Sequence, residues 1–271
     1  MIQKEILEDL YVKKGYSQIK IAKMLGCSDW KVRKYMRMYD INVRSDREQA
    51  LKYLVDEDYF KEIRTQNQAY ILGFLYADGF IQKERKHSSR RLGISIQKKD
   101  KKLLEDINIE LSSTYPIKNY EVTGGYKVGA SYVRLIITSP KLCEDVIVKG
   151  CLENKTEKLY FPTSEQVPQH LLPSFLRGYF DGDGSIYKSN SWNVRIMGTI
   201  PFLTEIINLF DFKDKKLYHR NPESQTINRE LSLKINESLE FLEFINKHNG
   251  IKLERKNTKI KEMLEYYGRL Q

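Results

Sequence analysis

ILGFLYADG, residues 71–79, and LRGYFDGDG, residues 176–184, are the two stretches on which the reading of this chain turns. They belong to the longer runs QAYILGFLYADGFI (68–81) and QHLLPSFLRGYFDGDGSI (169–186). Aligned on the last acid, Asp78 falls on Asp183, Gly79 on Gly184, Gly73 on Gly178 and Ala77 on Gly182, so the chain repeats itself once at a spacing of 105 residues. Each apolar run reads as a helix closed by Asp-Gly, with the glycine expected in the left-handed conformation that stops a helix. The two acids then sit on last helical turns, against the negative end of the macrodipole, at a cost of about 0.3 to 1 kcal/mol each. A cation removes that cost. Gly73 and Ala77, like Gly178 and Gly182, are four apart and share one helix face, so two such faces can bring their backbones close. Packed on each other, they set Asp78 beside Asp183. Paired carboxylates are a hard-oxygen donor set for Mg²⁺, which takes one or two carboxylates and completes its shell with water and phosphate oxygens.

The 271 residues suffice for two domains or more. A net charge of +10, with a pI near 9.2, favours a polyanionic partner. Nucleic acid comes before membrane, because neither apolar run approaches the roughly 20 residues a spanning helix needs. Cys27, Cys143 and Cys151 have no paired metal spacing, and an odd count argues against a disulfide framework. The opening MIQKEILEDLYVKK carries acids and no apolar core of a signal peptide, which points to an intracellular, cytoplasmic protein associated with the nucleoid.

Residues 1–45 read as a separate all-α unit. A helical pattern through Ile6, Leu7 and Leu10 ends near Gly15; Ser17 caps a second helix with Ile21, Ala22 and Leu25; Gly26 turns the chain, and Ser28 caps a third with Val32, Tyr35 and Met36 inward. That is the helix-turn-helix plan. As a recognition helix the third would present Asp29, Trp30, Lys31 and Lys34 to base edges, with Arg33 and Arg37 nearer phosphates. Residues 46–66 read as a linker with short helices near 50–53 and 58–63. Residues 67–160 and 161–271 form the two repeated subdomains.

After each motif come strands with period-two alternation, at 91–97, 132–138, 192–197 and 231–235. Leu92, Ile94 and Ile96 face a core while Arg91, Gly93, Ser95 and Gln97 face out, and Gly124 with Gly125 marks a hairpin. Helices at 101–111 and 201–210 follow corresponding strands. Each half therefore reads helix, two strands, helix, two strands, helix.

The paired motifs resemble those of LAGLIDADG homing endonucleases, ILGFLYADG being the first copy and LRGYFDGDG the second. The resemblance implies an α+β fold, a pseudo-twofold pair of αββαββα units forming a DNA-binding saddle, here preceded by the helix-turn-helix unit. It implies a monomeric nuclease that cuts both strands of a double-stranded DNA target and leaves short 3′ overhangs. Asp78 and Asp183 would hold Mg²⁺, with Mn²⁺ or Ca²⁺ able to occupy the same sites and the carbonyls of Ala77 and Gly182 as further ligands. Family members bring one lysine per half to the site on a short terminal segment. GCLENKTEKLYFP (150–162) is similar to the first and points to Lys155; GIKLERKNTKI (250–260) is similar to the second and points to Lys256. Gln97 or Lys98 is the expected water-positioning residue of the first half. The like positions of the second, Met197 and Gly198, offer no side-chain donor, so the two sites are expected to be unequal. Saddle contacts to DNA are expected from Gln82, Glu84, Lys86, Arg91, Ser95 and Arg134 in the first half. In the second they are Tyr187, Ser189, Asn193 and Arg195.

Two alternatives use the same basic surface. One is a transcription regulator without nuclease activity; its motifs would be degraded, and these keep both acids. The other is a maturase that assists intron splicing, with intron RNA as partner.

Overall fold

The computed structural model describes residues 2–43, 53–83, 90–121, 129–151, 158–219 and 228–270. Glu84, Lys86, Lys155, the Gly124-Gly125 hairpin and the expected helix near 50–53, save its last residue Tyr53, lie outside the described residues. The chain divides into two compact units, residues 1–54 and 55–271.

In the first unit α1 (Lys4–Leu7) runs on into a π-helical stretch, Glu8–Lys13, and Gly15 at φ +67° ends it. Ser17 and Ser28 open α2 (Gln18–Met24) and α3 (Asp29–Met38), each hydroxyl accepting from the amide three residues on, Lys20 at 3.2 Å and Lys31 at 3.3 Å. Each cap satisfies an amide that the first helical turn leaves without a partner. Gly26 turns between the two helices at φ +61°. Leu7, Leu10, Tyr11, Ile21, Val32 and Met36 form this unit's own core, while Ile6, grouped inward by its spacing, is exposed.

The second unit opens on turns. Residues 58–63, expected to be helical, form them instead, with Tyr59 N donating to Asp56 O and Lys61 N to Asp58 O. A capping box then starts α4 (Gln66–Asp78): Thr65 Oγ1 accepts from Gln68 N at 3.1 Å and the Gln68 side chain accepts from Thr65 N at 3.0 Å. Ala69 through Tyr76 are all buried, so α4 is a central helix, apolar all round, and has no wet face. β1 (Gly79–Lys83), β2 (Arg90–Gln97), α5 (Lys101–Glu110), β3 (Lys118–Glu121), β4 (Ser131–Thr138) and α6 (Pro140–Val148) complete the first half. The second half repeats it with α7 (Leu172–Asp183), β5 (Gly184–Lys188), β6 (Trp192–Gly198), α8 (Ile200–Leu209), β7 (Leu217–Tyr218), β8 (Arg229–Leu233) and α9 (Ile235–Asn246), and adds α10 (Glu254–Tyr266). The expected strand 231–235 thus lies two residues earlier, and Ile235 begins α9.

Each half makes a four-stranded antiparallel sheet, in the orders β1-β2-β4-β3 and β5-β6-β8-β7. The architecture is α+β, a pseudo-twofold pair of αββαββα units whose central helices α4 and α7 share one core with both sheets. On β2, Leu92, Ile94 and Ile96 are buried as alternation requires, but Gly93 is buried too. The Phe80 ring lies over it, so that a Cβ there would meet Phe80 Cζ at 2.2 Å.

Candidate active site

The two motif helices touch along their small residues, and the contacts are reciprocal. A Cβ on Gly73 would lie 1.9 Å from Phe175 O, and one on Gly178 would lie 1.9 Å from Tyr70 O. Tyr70 aligns with Phe175 and Gly73 with Gly178, so each contact is the pseudo-twofold image of the other. Further along, a Cβ on Gly182 would meet Ala77 Cβ at 2.3 Å and Asp78 Oδ2 at 3.3 Å. The Asp78 carboxylate therefore lies against the residue next to Asp183. Asp78 is exposed and Asp183 half-buried.

Gly79 and Gly184 do not take the left-handed conformation expected of them: at φ −74°, ψ 157° and φ −85°, ψ 158° both are extended. The reason is that each helix passes straight into a strand. What excludes a side chain is the preceding turn, since a Cβ would stand 2.7 Å from Leu75 O in one case and 2.1 Å from Phe180 Cδ2 in the other.

Lys256, on α10, reaches the same helix end from the far side. Its Nζ lies 2.7 Å from Phe180 O, 2.7 Å from Asp181 O, 3.2 Å from Gly182 O and 2.6 Å from Gly184 O. It thus binds the carbonyls at the C-terminal end of α7, Phe180 O in addition to that oxygen's bond from Gly184 N, together with the first carbonyl of β5, and its charge opposes the macrodipole that the acids aggravate. Burial pushes its pKa down to about 8, with Asp181, Asp78 and Asp183 holding it up. The ammonium remains largely charged at neutral pH. Expected as the lysine that the second half brings to the site, it lies at the helix end beside Asp183, only 5% exposed and engaged with backbone. The Gly182 carbonyl, expected as a metal ligand, accepts the longest of its contacts and keeps a second lone pair.

Beneath the acids lies a buried polar network that the spacing arguments did not single out. Asp181 accepts from Tyr70 OH at 2.7 Å, Leu253 N at 2.9 Å and Arg177 Nε at 3.3 Å, and Arg177 Nη2 donates to Asn257 Oδ1 at 3.2 Å. His248 is stacked on Tyr70, donates from Nε2 to Ile251 O at 2.8 Å and accepts at Nδ1 from the Ser174 hydroxyl at 3.0 Å. Burial holds its pKa down at about 4, so it is neutral. The signal for the network was Arg177 and Asp181, an i, i+4 ion pair inside an apolar helix.

Asp78 opens on a cleft of about 410 Å³ lined also by Gln97, Ser95, Tyr132, Asp100, Asp181, Gly182 and Arg255; Asp183 itself does not line it. Gln97 is thus brought to the same cleft as Asp78; Lys98 is exposed but does not line it. Strand register shows how the halves differ. Gly79 pairs with Ile94 and Gly184 with Ile196, so Ser95 and Ile96 correspond to Met197 and Gly198, and Gln97 corresponds to Thr199. That corrects the assignment of Met197 and Gly198 as counterparts of Gln97 and Lys98. Thr199 is buried, donating to Leu159 O and capping α8, and offers the second half no equivalent of the Gln97 amide. One rung on, Arg134 of β4 corresponds to Glu230 of β8.

On the outer sheet faces, Arg134 is held by Ser95, its Nε 2.7 Å from Oγ, and lies within 5.2 to 5.6 Å of the Phe80, Tyr120 and Tyr132 rings. Arg195 pairs with Glu230 at 3.0 Å and lies 5.6 Å from the Tyr187 ring. Gln82 is exposed opposite Arg91, and Asn193 donates to Ser191 O at 2.9 Å. Ser189, expected on a strand, belongs to the turn after β5. On α3, Trp30 is 67% exposed with Lys31, Lys34 and Arg37 also exposed, while Arg33 is tied to Gln18 at 3.1 Å and Asp29 at 3.4 Å.

Among the described residues no three His, Cys, Asp or Glu side chains gather as a metal cage. The donor set is instead two carboxylates at abutting helix ends, which fits an ion that keeps sites for water and phosphate. No described helix is long and apolar enough to cross a membrane.

Residues 65–146 match the family model described as LAGLIDADG-like domain. Solved structures similar to this chain include the LAGLIDADG meganuclease I-AabMI bound to uncleaved DNA, at 14% identity and TM-score 0.47, covering 73% of this chain and 88% of the other. Another is the I-LtrWI LAGLIDADG homing endonuclease bound to target DNA, at 14% identity and TM-score 0.45, covering 78% and 91%. Likenesses this distant do not bear on activity. No curated protein matches.

Proposed function

With residues 65–146 a LAGLIDADG-like domain and the helix, sheet and motif repeated after it, we propose that the chain is a site-specific, metal-dependent double-strand DNA endonuclease of the homing type. The single observation that carries this is the reciprocal glycine contact of α4 and α7, which delivers Asp78 against Gly182 and so gathers two undegraded acids at one helix-pair foot.

The residues fit a divalent ion, Mg²⁺ first and Mn²⁺ or Ca²⁺ in the same place, held by Asp78 and Asp183 with backbone carbonyl help. When bound, it supplies an activated water and neutralises charge on the transferring phosphate. The chain does the rest. The Gln97 amide, in the same cleft, orients a water toward the phosphate. Lys256 keeps the helix ends closed and electrostatically tolerable, and Lys155 is proposed for the matching role in the first half. The basic outer faces, with Arg91, Arg134 and Arg195, bind the duplex, and α3 of the first unit adds phosphate and base contacts. Cutting both strands leaves short 3′ overhangs. The protein acts as a monomer, because one chain holds both pseudosymmetric halves. Residues 1–45, 46–66, 67–160 and 161–271 are proposed as recognition unit, linker and the two subdomains.

Selection of cleaved sites from a randomised plasmid library in Mg²⁺ tests the reading. Recovery of one defined site with overhanging ends supports it; binding to a defined site with no cutting would point to a regulator on this scaffold.

A further inference from the structure

Arg255 lies on α10 beside Lys256. Its Nε donates to both oxygens of Asp100, at 3.0 and 2.9 Å. Asp100 comes from the other half, on the 3-10 turn Lys98–Asp100 that leads into α5, and is buried. The carboxylate thus fixes the guanidinium from one edge. Its Nη groups make no protein hydrogen bond among the described residues, and the side chain is 43% exposed. It lines the cleft that holds Asp78 and Gln97, and also a neighbouring one of about 360 Å³ to which Lys99, Lys102 and Lys252 contribute. A fixed, planar fork with free donors suits a phosphate, and a buried acid behind it holds the geometry without covering those donors.

We infer that Arg255, oriented by Asp100, grips a DNA backbone phosphate beside the acid pair, and that it does so at only one of the two pseudosymmetric positions. Measured from the helices, the buried Leu103, Leu104 and Ile107 of α5 match Phe202, Leu203 and Ile206 of α8, so Asp100 ahead of α5 corresponds to Thr199 ahead of α8, a neutral side chain already donating to Leu159 O, and in the sequence Asn154 aligns with Arg255 in the segment around Lys155. The second position has neither the fork nor the acid to set it. This rests on the endonuclease reading and goes beyond it by assigning a new phosphate-binding residue and an asymmetry between strands.

The test is metal-free binding of the full chain to a random-sequence duplex over a salt series, since a backbone contact needs neither catalysis nor a known site. Arg255→Gln should make the slope of log K against log salt shallower by about 0.9, the value of one phosphate. Arg255→Lys should not restore it, because an ammonium cannot hold Asp100 and a phosphate with one planar group. Asp100→Asn removes a negative charge, which alone would tighten binding; here it should weaken it, because the fork loses its orientation. An unaltered slope in Arg255→Gln, full rescue by Arg255→Lys, or tighter binding by Asp100→Asn would overturn the inference. Wild-type protein with no affinity for duplex would overturn the function reading and this with it, whereas wild-type affinity with an unaltered Arg255→Gln slope overturns this alone.

Discussion

Gly178→Ala is the smallest change that attacks the helix seam. The new methyl would stand 1.9 Å from the Tyr70 carbonyl oxygen, a backbone atom that cannot rotate away. Carbon and carbonyl oxygen normally approach to about 3.3 Å, so the helices must part by roughly 1.4 Å. A gap of even 1 Å forfeits up to about half of each dispersion contact across it, and overpacking of this kind costs up to about 3 kcal/mol. Against that, alanine is the better helix former by about 1 kcal/mol. The expected net destabilisation is about 2 kcal/mol. Gly73→Ala should cost the same by pseudosymmetry, and the double variant less than twice as much, because the seam opens once for both. Urea unfolding followed through Trp192, buried in the second unit, reads these values, with exposed Trp30 of the first unit replaced by Phe. A Gly178→Ala protein as stable as wild type, or more stable by the propensity gain alone, would refute the close approach and with it the convergence of the acids.

The buried network makes Arg177→Met costly, about 3 to 5 kcal/mol, because it breaks a fully buried ion pair and takes a donor from the Asp181 side chain; thermal denaturation checks it. His248 has a folded pKa of about 4 against 6.5 unfolded, so its contribution is full above pH 6.5 and is lost as pH falls toward 4. The loss approaches about 3 kcal/mol, and urea midpoints for His248→Gln should fall less steeply with acid than those of wild type. Replacing Arg33 and Arg37, the α3 side chains assigned to phosphates, together with alanine should flatten the salt dependence of DNA binding by about 2 in slope, and an unchanged slope would contradict that assignment.

The repeat was legible because small residues at fixed offsets leave little choice of helix face, and the serine caps of α2 and α3 because their chemistry is local. What stayed hidden depends on long-range register. The correspondence of Gln97 with Thr199 needs the strand pairing of both halves, which the differing turn lengths shift against the sequence spacing. Asp100 and Arg255 are 155 residues apart, and nothing local to Lys-Lys-Asp announces a partner. Burial of Lys256 was equally unreadable, since a lysine in a charged segment looks solvated until a helix end closes over it. Gly79 and Gly184 marked helix ends correctly but for steric rather than conformational reasons.

The proposed chemistry requires Asp78 and Asp183 jointly to hold a divalent ion at the DNA. Anomalous scattering from a crystal of the protein on its selected target, grown with Mn²⁺, locates that ion directly. Manganese within about 2.2 Å of an oxygen of each carboxylate, and of a phosphate oxygen, is the predicted result. Manganese absent from between the two acids while the duplex is bound would contradict it.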